Sequence, residues 1–274
     1  MYHPEIELVR DTAREKLVLA GVPDAEGDIE QLIYHFLQNS GDDSLARFID
    51  AVESRSKRIP LGYILGYAEF DGLNFIVGAG TFVPRTQSLP MINALCSRIS
   101  SPVEKITDLC AGVGPLGISL MLRLSSSRVY FVEYNKTAIG YLKKNIKNLV
   151  PSNTQIHILE NDIFSVDDFL SPAKLSDIVI ANPPFVPNGR ASLPEFSQHH
   201  PQDAIFSGED GSIAVRRCCL LTKKILRRHG IMGIEHHETH ADIVRDILAT
   251  LDFRDIRQIA DSDGKMRITT ALNS

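Results

Sequence analysis

The sequence predicts an α/β fold, a doubly wound and mostly parallel sheet, preceded by a small helical domain and a β-hairpin linker. That prediction follows from three features. Helical spacing runs through residues 4–58, Asp71-Gly72 separates two aromatic and β-branched runs, and short strands alternate with helices from about residue 89. Strand–helix alternation at these lengths implies parallel pairing, with helices covering both faces of the sheet.

In residues 1–58, Leu8, Ala13, Leu17 and Leu19 lead to the turn Gly21-Val22-Pro23-Asp24. Ile29, Leu32, Ile33, Phe36 and Leu37 then recur at helical spacing, and a third helix is expected from Ser44 to about Lys57. Helices this short must bury their apolar stripes against each other, so residues 1–58 are expected to form a small domain with its own core. Pro60 ends the helical pattern, since proline lacks the N–H and its ring clashes with the preceding turn. Asp71-Gly72 suits a two-residue hairpin turn, where both positions take positive φ. Residues 59–88 are therefore expected to be the hairpin linker and residues 89–274 the α/β domain. There Lys105–Leu109, Arg128–Glu133, Gln155–Glu160 and Asp177–Ala181 read as strands, with Gly114–Leu124 and Lys136–Leu149 as helices.

Bulk composition narrows the function classes. With 274 residues, 43% hydrophobic and 23% charged, the chain has the make-up of a globular protein. Its net charge of −5 argues against a broad basic surface for nucleic acid. No apolar run approaches the roughly 20 residues that span a bilayer, and the N-terminus lacks a signal-peptide apolar core. Cys96, Cys110, Cys218 and Cys219 lack CxxC spacing, so reduced thiols and a cytoplasmic location are expected.

Candidate chemistry lies at the ends of successive strands. Asp108-Leu109-Cys110-Ala111-Gly112-Val113-Gly114 follows the first strand and opens a helix; its glycines let a ligand approach the backbone beside free helix N–H groups. Packing turns also use glycine, so the loop gains meaning from its neighbours. Glu133 ends the next strand about 20 residues on, where an acid accepts hydrogen bonds from ribose hydroxyls. Asp162 follows the third strand, at the rim where an adenine would lie. The fourth strand runs into Asn182-Pro183-Pro184-Phe185. There the Asn182 side chain and the Pro183 carbonyl can accept both hydrogens of a planar NH2 group, while Phe185 offers a ring face. His236, His237 and His240 do not match the His-Glu-x-x-His zinc pattern, and no metal is expected.

The chain resembles the release-factor glutamine N5-methyltransferases, the HemK-like family, along its whole length. Pro60 to Gly66 and Glu69 to Phe75 are similar to that family's linker hairpin, and Phe82-Val83-Pro84-Arg85 to its Ile-Pro-Arg element. Asp108 to Gly114 resembles its glycine loop, and Asn182 to Phe185 its Asn-Pro-Pro-Tyr motif with Phe for Tyr. Pro201, Ala204, Gly208, Asp210 and Gly211 fall where that family has its Pro-x-x-Ala-Leu-x-Gly-Gly-x-Asp-Gly stretch, and Glu235 where a strand-end acid is usual. The resemblance implies a Rossmann-like class I methyltransferase domain using S-adenosyl-L-methionine, with Asp108, Cys110, Gly112, Gly114, Glu133, Asp162 and Asn182 at the cofactor. It implies that Asn182, Pro183 and Phe185 hold a glutamine amide of a release factor, with Phe82, Pro84, Arg85 and Pro184 lining the same pocket. It also implies that the N-terminal helices recognise the protein substrate. The departures surround the acceptor: Thr86, Gln87, Ser88 and Leu89 replace Pro, an acid, Thr and Glu, and His200-Pro201 replaces Glu-Pro. They leave open a paralogue acting on a small amine, guanidine or amino acid, whereas the acidic charge counts against a nucleic-acid amino group.

Overall fold

A computed structural model of the chain describes residues 4–37, 43–165, 167–190 and 193–274. Helices α1 (Pro4–Leu19), α2 (Ala25–Phe36) and α3 (Ser44–Ser56) form the N-terminal bundle. The Asp24 side chain starts α2 by accepting the Gly27 N–H at 3.0 Å, which satisfies one otherwise orphaned donor. Leu17, Ile29, Leu32, Ile33 and Phe48 are wholly buried in a cluster of their own. Each such side chain contributes about 1.5–3 kcal/mol of burial, enough to hold helices too short to be stable alone.

A short helix α4 (Leu61–Leu65) ends at left-handed Gly66 and leads into the hairpin β1 (Tyr67–Phe70) and β2 (Leu73–Ile76). Asp71 and Gly72 take φ of 56° and 72°, and Phe70 pairs with Leu73 across the expected turn. Phe70 and Phe75, edge to face with centroids 6.2 Å apart, belong to the core of the large sheet rather than to the N-terminal cluster.

From residue 89 onward come α5 (Leu89–Arg98), β3 (Lys105–Leu109), α6 (Pro115–Leu124), β4 (Arg128–Glu133), α7 (Lys136–Leu149), β5 (Gln155–Glu160) and β6 (Ser176–Ala181). The chain closes with α8 (Ile213–Ile225), β7 (Leu226–Glu235), α9 (Ala241–Thr250), β8 (Phe253–Ala260) and β9 (Met266–Asn273). Among the described residues one sheet has seven strands in the order β5-β4-β3-β6-β7-β9-β8, parallel except for β9, which is antiparallel to both neighbours. Successive side chains of its central strands enter opposite cores. Ile106, Val129, Phe131, Ile178 and Ile180 pack on one face, whereas Leu109, Val132, Val179 and Ala181 pack on the other. The strand order reverses at β3, which pairs with β4 on one side and β6 on the other. A ligand crevice belongs outside the carboxyl ends at such a reversal.

The sequence-predicted strands agree to within one residue, and α6 starts at Pro115, with Gly114 left-handed as its cap. The strands β7 to β9 lack a simple period: β7 opens with Leu226-Arg227-Arg228-His229, and the edge strand β8 is largely solvent-facing.

Candidate active site

The loop after β3 turns sharply because Cys110, Gly112 and Gly114 take φ of 59°, 56° and 88°. A Cβ built on Gly112 meets no atom within 4 Å, so this glycine borders open space. At Gly114 a Cβ would lie 2.5 Å from Leu142, so that glycine serves close packing. Asp108 lies beneath the loop at 1% exposure, accepting the Gly117 N–H at 2.9 Å, while its Oδ1 has no partner. Burial pushes its carboxyl up to about 8, against the Gly117 hydrogen bond and with help from Glu133.

Glu133, 8% exposed at the end of β4, accepts the N–H groups of Tyr134 (2.9 Å) and Asn135 (2.8 Å) on Oε1 and of Gly112 (2.8 Å) on Oε2. Burial pushes this carboxyl up as well, opposed by those three bonds. A carboxylate has about four acceptor positions, so Oε2 retains room for one more donor. Asn145 ties the loop to the hairpin: its amide donates to the carbonyls of Val113 (3.0 Å) and Ile76 (3.1 Å), and its oxygen accepts the Ile76 N–H at 2.7 Å.

One cavity of about 380 Å³, within the range of small-molecule sites, opens above these strand ends. Cys110, Gly112, Glu133 and Asp162 line it together with Phe82, Pro84, Arg85 and all four residues from Asn182 to Phe185. Asp108 and Gly114 do not; they sit behind the loop that does. Asp162 accepts the Phe164 N–H at 2.9 Å, turning Ile163 and Phe164 toward the cavity. The open face of Gly112, the spare acceptor on Glu133 and this apolar wall fit an adenosyl group.

Asn182 directly follows Ala181, whose register with Leu109 sets the motif beside the glycine loop. The motif is braced from behind. Val186 and Asn188 donate to the carbonyls of Ile205 (2.9 Å) and Gly208 (2.8 Å), and Ser207 donates to Val186 at 3.0 Å. Gly211, at φ 79°, lies where a Cβ would be 2.4 Å from the Phe185 carbonyl oxygen. That contact accounts for a glycine in the later stretch.

The outer wall is aromatic and basic. Phe82 stacks on Phe196 with centroids 6.4 Å apart, and the Arg85 guanidinium lies 5.1 Å over the Phe196 ring. Burial pulls Arg85 down despite the pull of Glu235, which accepts a short hydrogen bond from Ser88. His200 packs 5.2 Å from Phe82 and 5.1 Å from Phe196, is 5% exposed, and has no partner on either ring nitrogen. Burial, then Arg85, lowers it to about 4, so the ring is neutral.

Phe196, Tyr134 and Phe164 also line the cavity, and none of them stands in a motif that the sequence offers. The histidine group has three separate sets of partners: His236 contacts the His237 carbonyl (2.9 Å), His240 the Asp210 carbonyl (2.7 Å) and His237 Arg190 (2.7 Å).

Comparison with known proteins agrees with this layout. Residues 91–198 match the methyltransferase small domain family. A release factor glutamine methyltransferase of Mycolicibacterium smegmatis is 30% identical over 272 residues, covering 95% of each chain. One from Corynebacterium glutamicum is 32% identical over 233 residues, covering 84% of this chain and 82% of its own. Among solved structures, a T. thermophilus 16S rRNA N2 methyltransferase in complex with AdoMet and guanosine matches with a TM-score of 0.51 at 19% identity. That match covers 76% of this chain and 50% of the other, and it shows a shared fold.

Proposed function

The chain belongs to the release factor glutamine methyltransferase family, and we propose from that premise that it methylates the side-chain amide nitrogen of a glutamine in a peptide chain release factor, using S-adenosyl-L-methionine. One observation supports this reading above the others: the glycine loop with Glu133 and the Asn182 to Phe185 motif line a single cavity. Bound S-adenosyl-L-methionine supplies a methyl carbon already activated on sulfonium sulfur, so neither a metal nor a strong base is required. The residues around it have the tasks of binding and alignment.

Glu133 would accept a ribose hydroxyl on Oε2, Gly112 would admit the ligand to the backbone, and Asp162 would hold the rim at Ile163 and Phe164. Asp108 would act through the loop, by its bond to Gly117. At the acceptor, the Asn182 side-chain oxygen and the Pro183 carbonyl would take the two amide hydrogens. Phe185 would cover the amide plane, with Phe82, Pro84, Pro184 and Arg85 closing the pocket around it. An amide nitrogen is a weak nucleophile; acceptors on its hydrogens raise its electron density as positive charge develops. Alignment at near-attack distance, about 3–3.5 Å between reacting atoms, supplies most of the remaining acceleration.

Residues 1–58 would present the release factor to this pocket, residues 59–88 would link, and residues 89–274 would carry the chemistry. The test is incubation of the full-length protein and a release factor with isotope-labelled methyl donor. Label on one glutamine, located by peptide mass spectrometry, is expected; label absent from the release factor but present on a small amine would overturn the reading.

A further inference from the structure

The N-terminal bundle and the acceptor wall are joined by a buried ionic cluster. Glu195, 8% exposed, receives a two-pronged contact from Arg58, with Nε 2.8 Å from Oε1 and Nη2 2.6 Å from Oε2. Arg55, 5% exposed, reaches the same carboxylate with Nη1 at 2.8 Å and holds Asp28 of α2 with Nε at 2.6 Å. Arg55 also donates to the Ile59 carbonyl at 3.2 Å, and Arg58, at φ 65°, donates to the Ala20 carbonyl at 3.4 Å. Two guanidinium groups thus balance two carboxylates, and α2, α3 and the turn after α1 all contribute. Burial pushes the Glu195 carboxyl up, but hydrogen bonds from Arg58, from its own backbone N–H and from Arg55 together outweigh it and leave it below the usual range.

Glu195 also opens the helical turn Glu195–His199, whose closing bond runs from the His200 N–H to the Glu195 carbonyl at 3.2 Å. The next residue is Phe196, the cavity-lining ring on which Phe82 stacks, over which Arg85 lies and against which His200 packs at a tilt. Interdomain adhesion alone would place this clamp anywhere on the contact. It stands instead one peptide bond from the wall of the cavity.

We propose that Glu195 is a positioning residue for the acceptor: clamped by Arg58 and Arg55, it lets the N-terminal bundle set the placement of Phe196 and hence the fit of the incoming glutamine. The proposal rests on the functional reading above for its kinetic consequence, and on the ion cluster for its structural one. A bundle engaged by its protein substrate can then tighten or loosen the same wall that the target side chain meets, which couples recognition to the pocket over 137 residues of sequence separation.

The test uses full-length Glu195→Gln, with Arg58→Lys as a milder variant that keeps the charge and loses the two-pronged geometry. Three measurements are compared with the parent: amide hydrogen exchange of residues 193–200 and of the central strands, donor affinity by calorimetry, and kcat and KM for the release factor. In Glu195→Gln the exchange of 193–200 should rise about tenfold while the central strands are unchanged. Donor affinity should stay within about twofold, and kcat/KM for the release factor should fall about tenfold, chiefly through KM. Arg58→Lys should move each quantity in the same direction by less. Unchanged exchange in 193–200 in either folded variant overturns the proposal, as does a loss of donor affinity parallel to that of the acceptor. If the parent itself fails to methylate a release factor, the functional reading fails, and the exchange measurement still decides whether Glu195 holds the wall.

Discussion

At the scale of single residues, the carboxyls of Glu133, in the cavity lining, and of Asp108, behind the glycine loop, differ in what they are asked to do. Glu133 organises three backbone N–H groups and, in the proposed reading, offers its spare acceptor position to the methyl donor, so Glu133→Ala should weaken donor binding by about 1–3 kcal/mol. Calorimetry that finds the parent affinity would remove Glu133 from the site. Asn182 lines the same cavity and is proposed to hold the reacting nitrogen. Asn182→Ala should reduce kcat by roughly 100-fold or more with donor affinity within a few-fold, since a positioned acceptor is worth about 2.7–4 kcal/mol on developing charge. A variant as fast as the parent would mean the nitrogen is held elsewhere. Asp108 gives a pH signature. Its folded pKa of about 8 lies above the unfolded value of 3.8, so the native state keeps a proton that the unfolded chain has lost between those limits. Its contribution is full below the lower value and declines as pH rises toward 8. Asp108→Asn keeps a donor there without a charge, so its melting temperature should gain on the parent as pH rises and level off above about 8. A difference independent of pH would place the Asp108 titration elsewhere.

At the scale of elements, the acceptor motif depends on a segment far along the chain. The 205–211 stretch binds the backbone of Val186 to Asn188, and Gly211 seats against the Phe185 carbonyl. Gly211→Ala forces an L side chain into φ 79°, at about 1–2 kcal/mol, and into a 2.4 Å contact that only displacement of the motif can relieve. Turnover should fall at least tenfold while donor affinity changes less than twofold, the pattern of a displaced acceptor site. Steady-state kinetics beside calorimetry would check this, and normal turnover would show that the motif tolerates the shift. Asn145 does comparable work between the hairpin and the glycine loop, which makes β2 part of the support of the cofactor side.

At the scale of the whole molecule, stability should depend on the contact between bundle and sheet domain. Arg55→Met removes the cation shared by Asp28 and Glu195 and leaves two buried carboxylates short of compensation. Breaking such a buried pair is commonly worth about 3–5 kcal/mol. A clearly lower urea midpoint is expected; one unchanged from the parent would show that water or rearrangement replaces the guanidinium. No helix among the described residues is long and apolar enough to cross a membrane.

Local order was legible in the sequence wherever one short-range rule dominated. The apolar runs of β3, β4 and β6, the Asp71-Gly72 turn, the glycine loop and the Asn-Pro-Pro-Phe corner each encode their conformation within a few residues. Their convergence at one end of the sheet followed from parallel winding. Tertiary structure alone decided the insertion of β9 between β7 and β8, since polar starts and an exposed edge strand leave no period to read. It alone decided that Asp108 and Gly114 support the loop from behind, because a strand-end acid and a glycine look the same in sequence whether they face a ligand or a core. Phe196 reached the cavity, and Glu195 the arginines, by the same route. Contacts across more than a hundred residues are set by how whole elements pack, and no local pattern records them.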